Sequence, residues 1–176
     1  MKQFAMLIYP GFTALDLIGP QTVFSTFRDA KIHLVWKTLD PVTTDAGITL
    51  LPTASFDTCP EELEILFVPG GVEGTIAVMK DGEVLDFLAA RAEQASYVTS
   101  VCTGSLVLGA AGLLRGYRAT THWAFREMLP LLGAEPVDAR YVEDRNRITG
   151  GGVTSGIDFG LRIDAKLQGE EAAQLA

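Results

Sequence analysis

The sequence predicts an α/β fold with a mainly parallel sheet and helices on both faces. Two observations carry that expectation. Short β-branched and aromatic runs alternate along the chain with segments of helical periodicity. One of the runs, Ile65-Leu66-Phe67-Val68, is apolar without interruption, as suits a strand covered on both faces. At 176 residues, with no repeat, linker or low-complexity tract, the chain reads as one domain, 1–176.

Taken in order, Phe4 to Tyr9 is a buried strand that Pro10-Gly11 ends in a turn. Thr13 is expected to cap the helix that follows. Asp16 falls at its third position, where unpaired N–H groups favour a carboxylate. Leu15, Ile18, Val23, Phe24 and Phe27 supply an apolar face, and Gly19-Pro20 is expected to kink or restart the helix. Ile32 to Lys37 is a second strand, and Val42 to Leu51 a hairpin turning near Asp45-Ala46-Gly47. The strand at Ile65–Val68 ends in Pro69-Gly70-Gly71, where a glycine pair lets backbone approach a ligand closely. Gly82 precedes a helix over Glu83–Ala95, with Val84, Phe87 and Leu88 at i, i+3, i+4 spacing. Tyr97 to Val101 is a strand, and Leu106 to Leu114 a helix closed by Gly112 to Gly116. Arg118 to His122 is a short strand or loop, and Trp123 to Leu132 a helix stopped at Gly133. Ala139 to Glu143 and Arg147 to Thr149 form a hairpin around Asp144-Arg145-Asn146. After Gly150-Gly151-Gly152 a last helix runs from about Thr154 or Ser155 to the end without a stop signal, which suggests a chain shorter than its natural relatives or lacking a terminal element.

Charge and cysteine usage narrow the partners. A net charge of −8, from 22 acids against 14 bases, argues against nucleic acid and against an anionic membrane surface. Cys59 and Cys102 form no framework and no CxxC pair, and the composition reads as that of a reducing compartment. His33 and His122 have no partner at ligand spacing, so no metal is expected. The apolar run at the N-terminus is too short for a signal or membrane segment, which points to the cytoplasm.

Ligands of such folds sit beyond the carboxyl ends of the strands. Four loops are expected to meet there: Pro10-Gly11 with the helix start at Asp16, Gly70-Gly71, Cys102-Thr103, and Gly150-Gly151-Gly152. Cys102 lies at a strand-to-helix joint, with Ser100 two residues before it and Gly104 two after, the small flanks that a nucleophile elbow requires. The helix N-terminus beyond it favours thiolate, and a thiol of that kind oxidises readily. The alternative for Cys102 is a buried structural thiol. Thr103 and Gly71 are the natural oxyanion donors, or else an ordinary first-turn residue and a tight turn. Asp16, flanked by Leu15, Leu17 and Ile18, is either a desolvated proton donor or, as spacing alone favours, a surface carboxylate at a helix start. His122 either pairs with Cys102 or packs in the core beside Trp123, while His33, in mid-strand, reads as structural. The residue after Cys102 is threonine, so no adjacent histidine serves as base.

Leu15-Asp16-Leu17-Ile18-Gly19-Pro20, Val68-Pro69-Gly70-Gly71, Ser100-Val101-Cys102-Thr103-Gly104, Ala111-Gly112-Leu113-Leu114 with Gly116, and Thr120-Thr121-His122-Trp123 together resemble the ThiJ/PfpI superfamily. The match runs from Phe4 to about Leu167. It implies a flavodoxin-like, glutamine-amidotransferase-like three-layer sandwich. Residues 98–105 and 119–123 look most like the branch that hydrates isonitriles. The resemblance therefore implies a homodimer without a cofactor that converts R–N≡C and water to an N-substituted formamide. By the same carry-over Cys102 is the nucleophile, forming a thioimidate, Asp16 the acid/base, and Thr103 the residue assisting beside the nucleophile. Gly70, Gly71, Gly151 and His122 are the residues expected around the oxyanion and the substrate. Two departures separate the chain from other branches: threonine stands where the protease-like branch carries histidine after the cysteine, and Asp16 where many relatives carry glutamate. Both point away from peptidase or deglycase work. The competing expectations are a ligand-sensing domain of the kind fused to helix-turn-helix regulators, and an enzyme of the glyoxalase or deglycase type.

Overall fold

The computed structural model describes residues 1–174. Its first half comprises β1 (Lys2–Leu7), α1 (Ala14–Phe24), β2 (Ala30–Trp36), β3 (Val42–Thr43), β4 (Thr49–Leu50), β5 (Ala54–Ser55) and β6 (Leu63–Val68). Then follow α2 (Glu73–Val78), α3 (Gly82–Ala92), β7 (Ala95–Val101), α4 (Gly104–Ala110) and β8 (Arg118–Ala119). Two 3₁₀ turns, β9 (Glu135–Pro136), β10 (Tyr141–Asp144), β11 (Arg147–Gly150), α5 (Ser155–Gln168) and α6 (Glu170–Ala173) complete the order.

Seven strands form one sheet in the order β10-β11-β7-β6-β1-β2-β5, parallel throughout except for the β10–β11 hairpin at one edge. Helices α1 and α5 pack on each other over one face, and α2, α3 and α4 cover the other. Burial on both faces is why β1 and β6 are apolar at every central position. On the α1/α5 side, Phe24 meets Phe4, Phe27 and Phe67 edge to face, and Phe67 meets Phe159 of α5. Each such pair contributes about 0.5–1.5 kcal/mol beyond its buried area.

The strand order also positions the site. From β1 the chain steps outward to β2 and β5, then returns to the other side of β1 with β6 and β7. The loops after β1 and β6 therefore part in opposite directions and leave a crevice at the carboxyl ends, where ligands of open parallel sheets bind.

Several local expectations need correction. Helix α1 runs unbroken through Gly19-Pro20. Pro20 lies against Gly156 and Gly160 of α5, and this close helix packing outweighs the lost hydrogen bond. The buried side of α1 is Ala14, Asp16, Leu17, Gly19, Pro20, Val23 and Phe24, so Leu15 and Ile18 face outward, 44% and 39% exposed. Thr13 occupies the N-cap without capping by its side chain, because its hydroxyl donates to Asp45 instead, 2.7 Å away. The stretch after Thr121 is two 3₁₀ turns, Trp123–Met128 and Pro130–Leu132, rather than an α-helix. The helix after Cys102 is shorter than its periodicity predicts and ends at Ala110. The segment α2, which carries no side-chain cap, was not legible at all. Among the described residues no helix is long and apolar enough to cross a membrane; the last two residues of the expected terminal helix lie outside the described residues.

Candidate active site

Cys102 sits on a left-handed backbone, φ 53°, which turns the chain from β7 into α4. That conformation costs a residue with a Cβ roughly 1–3 kcal/mol, so the surroundings must impose it. They do so from two sides. The Cys102 N–H donates to Gly150 O on β11 at 3.0 Å, and the Thr121 hydroxyl donates to Cys102 O at 2.9 Å. This is the elbow that the small residues flanking Cys102 predicted.

Asp16 reaches the same point from α1. It is wholly buried, and its Oδ2 accepts a hydrogen bond of 3.2 Å from the Gly70 N–H. Its Oδ1 has no hydrogen-bond partner among the described residues. A methyl group placed on Gly70 would lie 2.6 Å from Cys102 Cβ and 2.8 Å from Asp16 Oδ2, which shows how tightly carboxyl and thiol are gathered about that glycine. Burial raises the Asp16 pKa to about 6, with the Asp45 charge adding to the rise and the Cys102 thiol and the Gly70 N–H opposing it. The expected surface carboxylate is thus a desolvated acid.

The thiol behaves differently from the sequence expectation. Burial, and then the charge of Asp16, push Cys102 up to about 12, while the Thr103 N–H and hydroxyl oppose the rise. The seven-residue α4 does not offset this. Burial and the facing Asp16 carboxylate thus both oppose thiolate at Cys102, against the pull expected from the helix N-terminus. Both cysteines are free.

Thr103 stands where the sequence placed it, and its N–H faces the sulfur. Three other expectations shift. The Gly71 N–H is not free to act as an oxyanion donor, because it is taken by Thr103 Oγ1 at 3.0 Å. Gly151 bonds through its N–H to Arg140 O, away from the sulfur. Its neighbour Gly152 is the residue that abuts Cys102, so closely that any Cβ there would overlap Cys102 Cβ. His122 makes no hydrogen bond to Cys102. Its Nδ1 accepts from the Ala124 N–H and its ring lies beside Trp123 and Phe125. His33 is structural, with Nε2 2.8 Å from Gln3 Oε1. The residues to which sequence reasoning gave no role are Thr121, Thr75 and Tyr9, while Gly152 was expected only as part of its glycine run. Tyr9 ends the apolar run that contains β1 and leads into the rim loop, which was the available signal.

Fold and elbow together place the chain among the α/β proteins that carry a cysteine at the strand-to-helix turn of a parallel sheet. A match to the DJ-1/PfpI family over residues 2–166 narrows the class, and the chain belongs to that family. It is 53% identical over 173 residues to an isonitrile hydratase of Pseudomonas putida, covering 98% of this chain and 75% of that protein. The crystal structure of a ThiJ/PfpI family protein from Pseudomonas syringae superposes with a TM-score of 0.98 at 55% identity, covering 99% of this chain and 72% of the other. The HTH-type transcriptional regulator GbdR of Pseudomonas aeruginosa is 33% identical over 181 residues, which span 97% of this chain and 48% of the regulator.

Proposed function

We propose that this chain hydrates an isonitrile to an N-substituted formamide through a covalent thioimidate on Cys102. One observation carries the reading: a wholly buried carboxyl, Asp16, is gathered against the Cys102 thiol on a left-handed strand-to-helix elbow. Likeness to an isonitrile hydratase over nearly the whole chain supports it.

The isonitrile carbon needs both a nucleophile and a proton. Asp16, with a pKa of about 6, is ionised at neutral pH yet close enough to it to pick up and return a proton. The Cys102 sulfur adds to the terminal carbon as its proton passes through Asp16 to that same carbon, giving R–N=CH–S–Cys. The Asp16 carboxylate then takes a proton from water as the water oxygen adds to the carbon, and passes it to the nitrogen. The C–S bond of the adduct breaks, the hydroxyl proton returns to sulfur by way of Asp16, and the formamide leaves. Covalent catalysis divides one difficult addition into two easier ones. The Thr103 N–H, directed at the sulfur, stabilises charge there in both halves.

The test is incubation of the full chain with a small alkyl isonitrile, following formamide and the intact mass of the protein. Formamide production, a mass increment on Cys102, and loss of both in Cys102→Ala are expected. Full turnover by Cys102→Ala would sink the mechanism. Ligand capture without turnover would favour the sensing reading, and turnover of methylglyoxal alone the glyoxalase reading.

The same proposal includes a cytoplasmic homodimer, with no nucleic-acid or membrane partner. Leu15 and Ile18 on α1 and Ile157 on the adjoining α5, each at least 39% exposed, supply an apolar patch for a second copy. A single core cluster spanning the large sheet supports residues 1–176 as one domain.

A further inference from the structure

Behind the elbow lies a row of three buried hydroxyls. Tyr9, which follows β1 and is wholly buried, donates from its OH to Pro69 O at 2.8 Å. Its oxygen is 3.1 Å from Thr75 Oγ1 on α2, and that oxygen is 2.8 Å from Thr103 Oγ1. Thr103 Oγ1 in turn lies 2.9 Å from Gly71 O and accepts from the Gly71 N–H at 3.0 Å. Thr75 and Thr103 are each 2% exposed. The row joins the ends of β1 and β6, the start of α2, and the residue beside Cys102.

Counting protons gives the row a direction. Pro69 O can only accept, so the Tyr9 proton is committed to it. Burial holds the Tyr9 pKa far above its ordinary value, so that proton stays in place at any working pH. A hydroxyl has one proton and two lone pairs. The single Thr75 proton must therefore go either to Tyr9 or to Thr103. When it goes to Thr103, that oxygen receives two donors, Thr75 and the Gly71 N–H, and is left with nothing to offer but its own proton. That proton is given to Gly71 O at 2.9 Å, and the Cys102 sulfur belongs to the residue immediately before Thr103.

We infer that Thr75 is a positioning residue for the Cys102 reaction: its hydroxyl, set between Tyr9 and Thr103, makes Thr103 a committed donor whose proton turns from Gly71 O to the sulfur when the sulfur carries charge. No bond to hydrogen breaks in this step; only the direction of a hydrogen bond changes. The sulfur is charged as it attacks and again as it is expelled, so the effect falls on turnover rather than on substrate capture. The inference rests on Cys102 being the nucleophile.

The assignment predicts opposite behaviour for two neighbours. Thr75→Val removes the donor, weakens the hold of Thr103 on the sulfur, and makes thiolate harder to form. Alkylation of Cys102 by iodoacetamide, resolved by peptide mass from that of Cys59, slows about three- to tenfold across the pH range below the thiol pKa, and kcat falls by a similar factor with KM little changed. Thr75→Ser restores both. Tyr9→Phe removes the competing acceptor, commits the Thr75 proton to Thr103, and leaves alkylation as fast or faster. A merely structural row would slow both variants together, in proportion to their loss of stability. An unmoved alkylation profile in Thr75→Val, or equal slowing in Thr75→Val and Thr75→Ser, overturns the proposal. Should Tyr9→Phe fail to fold, the two Thr75 variants decide alone. Alkylation needs no isonitrile, so a Cys102→Ala protein that still hydrates would remove the catalytic reading while the alkylation profiles still judge the role of Thr75.

Discussion

Asp16 faces Cys102 and, after burial itself, is the strongest influence opposing thiolate there. The buried carboxylate faces the sulfur, and its charge, added to burial, lifts the thiol to about 12. A thiol whose ionisation its surroundings oppose must surrender its proton during the reaction, and the group that opposes the thiolate is also the one placed to take that proton. The elbow thus depends on a pair of groups rather than on an activated sulfur.

Replacing Asp16 by asparagine should separate these two effects. The thiol pKa falls from about 12 because the negative neighbour is gone, while hydration drops about 10²–10⁴-fold through loss of the proton carrier. The pH dependence of Cys102 alkylation and isonitrile turnover are the two measurements. A thiol pKa that rose in Asp16→Asn would contradict the electrostatics.

The same variant bears on stability. The Asp16 pKa is raised from 3.8 in the unfolded chain to about 6 in the folded one. Below pH 4 the carboxyl is protonated in both states and costs nothing. Between pH 4 and 6 the folded chain binds the extra proton, so stability falls as pH rises, reaching a loss on the order of 3 kcal/mol above pH 6. Asp16→Asn is therefore expected to melt several degrees higher than the parent at pH 7–8 and to lose that advantage near pH 4. Calorimetry at both pH values checks it; a lower melting temperature at pH 8 would show that the buried charge is better compensated than its surroundings indicate.

Turnover should follow the ionisation of Asp16. The parent is expected to lose kcat/KM as pH falls through about 6, since the carboxylate is then protonated and no longer accepts the thiol proton. A profile flat from pH 5 to 8 would remove Asp16 from the role of base.

Gly70→Ala tests the crowding at the elbow. Its methyl would sit 2.6 Å from both Cys102 Cβ and Thr103 N, and neither can yield without moving the turn. A destabilisation of about 1–3 kcal/mol is expected together with a sharp loss of turnover. Denaturant titration and steady-state kinetics measure the two; unchanged kinetics would mean that the elbow tolerates displacement.

Leu15→Glu combined with Ile18→Glu should convert the proposed dimer to a monomer in light scattering at micromolar concentration. Both side chains already face outward, so the fold should survive the change. A dimer that persists would place the interface elsewhere.

Much of this was legible in the chain. Glycine and proline mark the strand ends at Pro10-Gly11, Pro69-Gly70-Gly71 and Gly150-Gly151-Gly152, and the parallel topology brings those ends together. The burial of Asp16 was not legible. The phase of α1 is set by the Gly70 contact and by packing on α5, which turn the more hydrophobic Leu15 and Ile18 outward. Thr75 escaped notice because its helix spans six residues and its N-cap, Val72, offers no side-chain cap. Within a run of three glycines, the choice of Gly152 over Gly151 as the neighbour of Cys102 depends on the direction in which α5 leaves the sheet, which composition does not encode.

The strand order has a consequence for synthesis. Asp16, Gly70, Cys102 and Gly152 come from four distant stretches, and the last strand to enter the parallel array, β11, supplies the carbonyl that bonds the Cys102 N–H. A nascent chain therefore exposes Cys102 well before anything fixes its backbone in the left-handed turn. Contacts of such long sequence separation form late and slowly. A half-made protein thus carries an ordinary cysteine, and chemical competence appears only when the sheet is complete.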